Sequence, residues 1–251
     1  GAAAIGTDQL TGVERVNGSS AADTFAAGAG VNALVTGFTW DGGAGSDTLN
    51  LSGAGNKNFE IDLSASAGYA RETGQSSSQS LLNIENVTLG SGNDTIKGSG
   101  EDNLINGGTG TDTYDLSAAN RAMTVTVNAL SNVVVSGEAG EIGTDTLSSV
   151  EIVKTGNNYN DTVLGVTNGL TVDAGDNVGG TDVDVLDLSN ASLAPLTGSD
   201  GYSVDLSNTA GFVRNGTVTQ QLRNFENVIG TSGKDTFVGN AGANVIDGGL
   251  K

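Results

Sequence analysis

The sequence predicts an all-β solenoid, a stack of short strands wound from internal repeats. Three observations point there. Val, Leu, Ile and Thr alternate with polar residues in short runs, and no window carries an apolar stripe at helical spacing over three turns. The 251 residues include 40 Gly and one Pro, so turn-forming residues punctuate the chain throughout. One pattern also occurs four times, and internal repetition at this scale marks a solenoid.

The long pattern is anchored by glutamates. The segments "GVERV", "NIENV", "SVEIV" and "NFENV" place Glu14, Glu85, Glu151 and Glu226 at intervals of 71, 66 and 75 residues. An Asp-Thr pair follows each at nine or ten residues, at Asp23, Asp94, Asp161 and Asp235. Nine residues further on stand Asn32, Asn103 and Asn244, with Leu170 in the third repeat. Glycine-rich turns then lead to the strands "LNLS", "YDLS" and "LDLS", and after these come inserts containing "FEIDLSAS", "MTVTVNAL" and "YSVDLSNT". The chain thus reads as one repeat domain over 1–251, in units of approximately 1–52, 53–117, 118–189 and 190–251.

Composition removes several functions. With 29 acidic against 10 basic residues the formal charge is −19, which excludes a phosphate-binding, nucleic-acid role. Cys and His are both absent, so there is no disulfide framework, no thiolate or imidazole zinc site and no His-based triad. No run approaches the ~18 apolar residues of a membrane helix, so membrane insertion is not expected. The chain starts at Gly without a signal-like region and reads as processed, or as an excerpt of something longer.

Within the long pattern lies a shorter one. "GGAGSDTLN" (42–50) and "GGTGTDTYD" (107–115) share the form Gly-Gly-x-Gly-x-Asp-x-apolar-x, and "GGTDVDVLD" (179–187) follows with Asp182 in place of the third glycine. Looser copies are "GSGNDTIKG" (90–98), "GNNYNDTVL" (156–164) and "GTSGKDTFV" (230–238); "GSGEDNLIN" (98–106) and "GNAGANVID" (239–247) carry Asn at the Asp position. The nine-residue form resembles the haemolysin-type calcium-binding nonapeptide repeats of RTX proteins. The resemblance implies a parallel β-roll, in which each nonapeptide makes a glycine-rich turn and a short strand and two nonapeptides complete a coil.

The chemistry agrees with that resemblance. Glycines leave backbone carbonyls unobstructed, and the apolar residue at position eight (Leu49, Ile96, Tyr114, Leu186, Phe237) points inward. Asp94 and Asp112, 18 residues apart, fall one coil apart and would stack at ~4.8 Å. Two bare charges at that distance repel by ~3–4 kcal/mol at an effective dielectric near 20. A cation midway relieves this, and Gly90, Gly92, Gly108 and Gly110 could add carbonyls. Such hard oxygens favour calcium over transition metals, and the flexible backbone suits magnesium poorly. Turn capping by the Asp side chains is the plain alternative. For Asp94 with Asp112 ligation is favoured. For Asp161 with Asp184 beside Asp182, and for Asp23 with Asp47 beside Gly43 and Gly45, both readings stand. Asp235 reads as a half-site, having no Asp 18 residues on. The Glu–Asn pairs, also 18 apart, are expected on the opposite edge of the roll, closing turns by side-chain hydrogen bonds.

The expected function is a secreted calcium-binding solenoid with a structural role, in a matrix, surface layer, filament or adhesin, forming homo-oligomers or polymers head to tail. A polysaccharide or a bacterial cell surface are further possible partners. The alternative is an accessory module of a larger extracellular protease or polysaccharide-modifying enzyme. Catalysis within this chain is not expected. The five arginines are scattered, and Arg71 and Arg214 hold matching places after "AGYA" and "AGFV", which suggests a repeated surface contact.

Overall fold

The computed structural model describes residues 12–26, 37–64, 67–129, 132–137, 142–175, 182–190, 193–194, 200–207, 211–216 and 218–249. Each half-turn of the solenoid is a strand of about three residues, because the nonapeptide leaves only positions seven to nine extended. The chain runs through β1 (Arg15–Asn17), β2 (Thr24–Ala26), β3 (Thr39–Asp41) and β4 (Thr48–Asn50). The first insert then supplies β5 (Phe59–Asp62), β6 (Tyr69–Glu72) and β7 (Gln79–Leu82). Next come β8 (Asn86–Thr88), β9 (Thr95–Lys97), β10 (Leu104–Asn106) and β11 (Thr113–Asp115), followed by the second insert, β12 (Thr124–Ala129), β13 (Asn132–Ser136) and β14 (Thr144–Ser148). The pattern repeats through β15 (Ile152–Lys154), β16 (Thr162–Leu164), β17 (Thr171–Asp173) and β18 (Val185–Asp187). The third insert holds β19 (Asp200–Asp205), β20 (Gly211–Asn215) and β21 (Val218–Arg223), and β22 (Asn227–Ile229), β23 (Lys234–Val238) and β24 (Ile246–Asp247) follow.

Among the described residues these strands form two sheets. One has 13 strands in the order β1-β3-β7-β6-β5-β9-β11-β15-β17-β21-β20-β19-β23, and the other has 11, β2-β4-β8-β10-β14-β13-β12-β16-β18-β22-β24. Coils stack in parallel, as a β-roll requires. The inserts add something the nonapeptide pattern did not indicate: each is an antiparallel three-stranded meander built into one sheet. Each meander runs forward, back and forward again, so it returns the chain beside the coil it left, and β8 lies directly on β4. The first and third meanders enter the larger sheet and the second the smaller, which keeps the two sheets near the same length.

The core is a pair of side-chain ladders between the sheets. Ile61, Ile96, Tyr114, Val153, Val172 and Leu222 are register partners in one sheet, and Phe25, Leu49, Val87, Ile105 and Leu147 in the other. All are buried. At about 1.5–3 kcal/mol for each fully buried large side chain, this interior supplies the apolar driving force. Trp40 joins it from β3, with its ring 5.2 Å from Phe25 and its indole N–H donating to Gln79 Oε1 at 2.6 Å. Between Asp23 and Asp47, residues 27–36 lie outside the described residues, and Thr39 and Trp40 of "GFTW" (37–40) belong to β3.

Arg71 and Arg214 do hold matching positions, but their contacts are internal. Each lies over an aromatic ring two residues earlier on its own meander strand, Tyr69 at 5.1 Å and Phe212 at 4.8 Å, and Arg71 also pairs with Glu60.

Three tight turns set the stacking. Asn83, Ser149 and Asn224 adopt φ of 52, 50 and 60, and each stands two residues before a repeat glutamate. This left-handed region is poorly tolerated by β-branched residues. Ser149→Val is therefore expected to destabilise the calcium-saturated protein by about 1–2 kcal/mol, measured by urea unfolding, whereas Ser149→Gly should leave the midpoint within a few tenths of the parent.

Candidate metal centre

The turns preceding the strands stack coil on coil, and this demands glycine. Gly108 and Gly110 have φ of 95 and 139, and a β-carbon on either would strike the carbonyl of Gly90 or Gly92 in the neighbouring coil. Thr109 N–H donates to Gly90 O at 2.8 Å, which fixes the spacing. At Gly107 a β-carbon would lie 2.6 Å from Asp112 Oδ2 and would also meet Ser149 O. Gly42 has the same relation to Asp47 Oδ2 and Asn83 O. The missing side chains leave a cradle walled by main-chain oxygens and one carboxylate oxygen.

A ladder of hydrogen bonds aims those carboxylates. Along one edge Phe59 N–H donates to Asp94 Oδ1 at 2.6 Å, Asp94 N–H to Asp112 Oδ1 at 2.8 Å, and Asp112 N–H to Glu151 Oε2 at 2.9 Å. On the other edge Asp23 N–H donates to Asp47 Oδ1 at 2.7 Å and Asp47 N–H to Glu85 Oε2 at 2.8 Å. A third column repeats this, with Met123 N–H to Asp161 Oδ1, Asp161 N–H to Asp184 Oδ1 and Asp184 N–H to Glu226 Oε2 at 2.6, 2.7 and 2.9 Å. The spacings of 24 and 23 residues, Asp23 to Asp47 and Asp161 to Asp184, thus give the same stacking as the strict 18.

Two sequence expectations change here. Glu85 and Asn103, in front of β8 and β10 of the smaller sheet, do lie on the edge opposite Asp94 and Asp112, in front of β9 and β11 of the larger. But Glu85, Glu151 and Glu226 are each also the next member of an aspartate column. Sequence distance hid this, because a whole meander separates Asp47 from Glu85 and yet returns the chain to the adjacent coil. At each glutamate two successive N–H groups share one aspartate carbonyl: Glu85 and Asn86 on Asp47 O, Glu151 and Ile152 on Asp112 O, Glu226 and Asn227 on Asp184 O. Asn103 and Asn244 bond the main-chain carbonyls of Glu85 and Glu226, both at 2.8 Å, rather than their carboxylates. Asn32 lies outside the described residues. The second change concerns a cation midway between Asp94 and Asp112. Asp112 Oδ1 is committed to the Asp94 N–H, so each aspartate keeps a single oxygen for a ligand.

Those remaining oxygens fit a hard cation. Oδ2 of Asp47, Asp94, Asp112 and Asp184 is buried without a hydrogen-bond partner, an arrangement that costs stability unless something binds it. Burial pushes the Asp94 carboxyl up to about 6, Asp112 to about 7 and Asp184 to about 8. Burial also raises Asp161 to about 6, against the opposing pull of Thr155 and the Gly156 N–H. Asp182, 2% exposed, adds its charge to those of Asp161, Asp184 and Glu226. Among the described residues no group of three or more ligating side chains gathers, so a bound ion would take the rest of its shell from carbonyls such as those of Gly90, Gly92, Gly108 and Gly110. Calcium accepts such mixed carboxylate and carbonyl shells.

Asp23 and Asp235 behave differently. Both are only partly buried, and each folds its Oδ2 back on its own turn. Asp23 accepts the Ser19 N–H and hydroxyl at 2.6 and 2.9 Å, and Asp235 accepts the Thr231 N–H at 2.8 Å. Asn103 and Asn244 close their turns in the same manner, accepting the N–H of Ser99 and of Asn240. Asp235 is therefore closed by Thr231, with its Oδ1 on the Tyr202 N–H at 2.7 Å. Asp145 was not anticipated. It is fully buried, takes the Tyr114 hydroxyl on Oδ2 and the Asn103 N–H on Oδ1, and locks the two sheets together without a cation. Its signal in the sequence is the Gly-Thr-Asp-Thr string at 143–146.

Two outcomes are expected. Asp112→Ala should lower calcium affinity at least tenfold by calorimetry, while Asp115→Ala leaves it within about twofold; Asp115 lies on the outer face with Lys154 and Ser117. The pH dependence has a definite sign. Carboxyls raised to about 6–8 in the fold, against ~3.9 in the unfolded chain, contribute stability that is full below about pH 4 and lost as pH rises through 6 to 8. In chelator the melting temperature should fall over that window. With calcium the trend should be absent, and binding should release protons.

Compared with known families, the chain matches the RTX calcium-binding nonapeptide repeat in four copies, over residues 8–38, 88–120 and 226–250. No curated protein matches it. The column at 156–184 lies outside the matched residues yet carries the same ladder of bonds. RTX nonapeptide repeats bind calcium, and the orphaned oxygens and glycine cradles fit that ion. The chain is an all-β protein whose residues 8–38, 88–120 and 226–250 match RTX calcium-binding nonapeptide repeats.

Proposed function

We propose that this chain is a secreted, non-catalytic calcium-binding β-roll whose role is structural, as part of an extracellular matrix, surface layer, filament or adhesin. The carrying observation is the set of buried aspartates that each keep one oxygen without a partner, with Asp47 and Asp112 holding theirs against Gly42 and Gly107 of their own turns. These oxygens hold a cation against two stacked coils, so the ion acts as a rivet between turns. With a net charge of −19, the chain without calcium has every reason to expand. A protein that folds where calcium is plentiful suits the extracellular space, and no helix among the described residues could cross a membrane.

Self-association fits the same reading. At the end of the two sheets, edge strands β23 and β24 leave Val238, Val245 and Ile246 exposed, a surface on which another parallel coil can stack. A second copy stacking there gives head-to-tail assembly. An adjoining module stacking there gives the second reading, an accessory segment of a larger extracellular enzyme.

The test is folding itself. Calcium should compact the chain and raise its melting temperature, and chelator should reverse both, as read by small-angle scattering and circular dichroism. A β signal and melting temperature unchanged in excess chelator would defeat the proposal.

A further inference from the structure

The first aspartate of a column does not rest on a glycine turn. Asp112 stacks on the turn 90–94, but Asp94 stacks on residues 51–58 of the first insert. There the chain leaves β4 through Leu51 into one turn of 3-10 helix, Ser52–Ala54, ended by Gly55 at φ 80 and ψ −159. Such a short turn leaves most of its carbonyls without a full complement of partners. Leu51 O accepts the Ala54 N–H and Gly55 O the Lys57 N–H, and each carbonyl keeps a second lone pair.

These oxygens converge. A β-carbon built on Gly90 would lie 3.3 Å from Gly55 O and 3.4 Å from both Leu51 O and Ser52 O, its three nearest neighbours. Asp94 meets the end of the same segment, where it enters β5. Oδ1 accepts the Phe59 N–H at 2.6 Å, while Oδ2, in a residue 1% exposed, has no partner. Asn93 N–H on Asn58 Oδ1 at 2.8 Å ties the two turns in register.

We propose that the insert turn and Asp94 form a second kind of calcium site, in which Leu51, Ser52 and Gly55 supply main-chain oxygens and Asp94 the charged one. It rests on the calcium reading above. It differs in that a 3-10 turn outside the nonapeptide pattern takes the place of one glycine turn. One carboxylate with several neutral carbonyls is a donor set for a hard divalent cation. The third column carries a two-carbonyl version. Asp161 Oδ1 accepts the Met123 N–H and its Oδ2 is buried without a partner. A β-carbon on Gly156 would lie 2.9 Å from Ala119 O and 3.4 Å from Arg121 O, with the Met123 methyl at 3.2 Å. Both turns follow the corresponding strand in the sequence, "LNLS" and "YDLS".

Gly90→Ala tests this, because it plugs the cradle with a methyl group and keeps the Gly90 carbonyl. Gly90 needs no left-handed φ, and the methyl requires shifts of only tenths of an ångström. Native mass spectrometry at saturating calcium should count one ion fewer per chain than the parent. Asp94→Asn keeps an acceptor for the Phe59 N–H and should also lose an ion. An unchanged ion count in folded Gly90→Ala overturns the proposal. Should that variant fail to develop its β signal in calcium, Asp161→Asn carries the test at the equivalent turn, with the same loss expected and an unchanged count overturning it. A parent chain that binds no calcium would sink the functional reading itself, whereas a binding parent with unaffected variants removes only this site.

Discussion

Everything in this molecule depends on a buried aspartate that accepts a bond from the preceding coil's main chain on one oxygen and leaves the other open. The bonded oxygen sets coil spacing and direction, since Asp94, Asp112 and Glu151 can chain together only if the strands after them stay parallel and in register. The open oxygen is a debit in the calcium-free fold, expressed as carboxyls pushed well above the usual range by burial. The same group therefore organises the stack and makes it incomplete without a cation. A neutral solenoid with Asn throughout would stack as well and bind nothing, and the turns closed by Asn103 and Asn244 show how that looks.

The inserts decide where these columns run. Counting each meander as one pass through its sheet, the chain makes five half-turns between one Asp-Thr pair and the next, from Asp23 in front of β2 to Asp94 in front of β9 and on to Asp161 in front of β16. Five is odd, so successive columns fall on alternate edges. The arrangement distributes negative charge on both sides of the roll. It also alternates the meanders between sheets, so neither sheet outgrows the other enough to force the stack to curl.

Beside the open turns stand closed ones. Asp235 satisfies both carboxylate oxygens with its own turn and the preceding coil, Asp145 does so with Tyr114 and Asn103, and Asp23 closes its Oδ2 on its own turn. An aspartate in the motif is thus not sufficient for a ligand oxygen. What separates the two classes is the residue four positions earlier in the closed turns, Ser19 or Thr231, whose N–H folds back onto the carboxylate. In the open turns glycines at 43 and 108 lead the chain away.

The sequence by itself determined the repeat, the all-β class, the inward apolar position of each nonapeptide and the aspartate partners at a spacing of 18, because all of these are periodic properties that a local rule can express. It also carried the hard-oxygen chemistry, since a chain without Cys or His has little else to offer a metal. Tertiary structure alone decided that Glu85, Glu151 and Glu226 extend the aspartate columns, that the inserts fold as meanders, and that Asp145 bridges the sheets. The glutamate and Asp145 contacts join residues 31 or more positions apart. Their proximity depends on a meander handing the chain back to the coil it left, and no local spacing encodes that return.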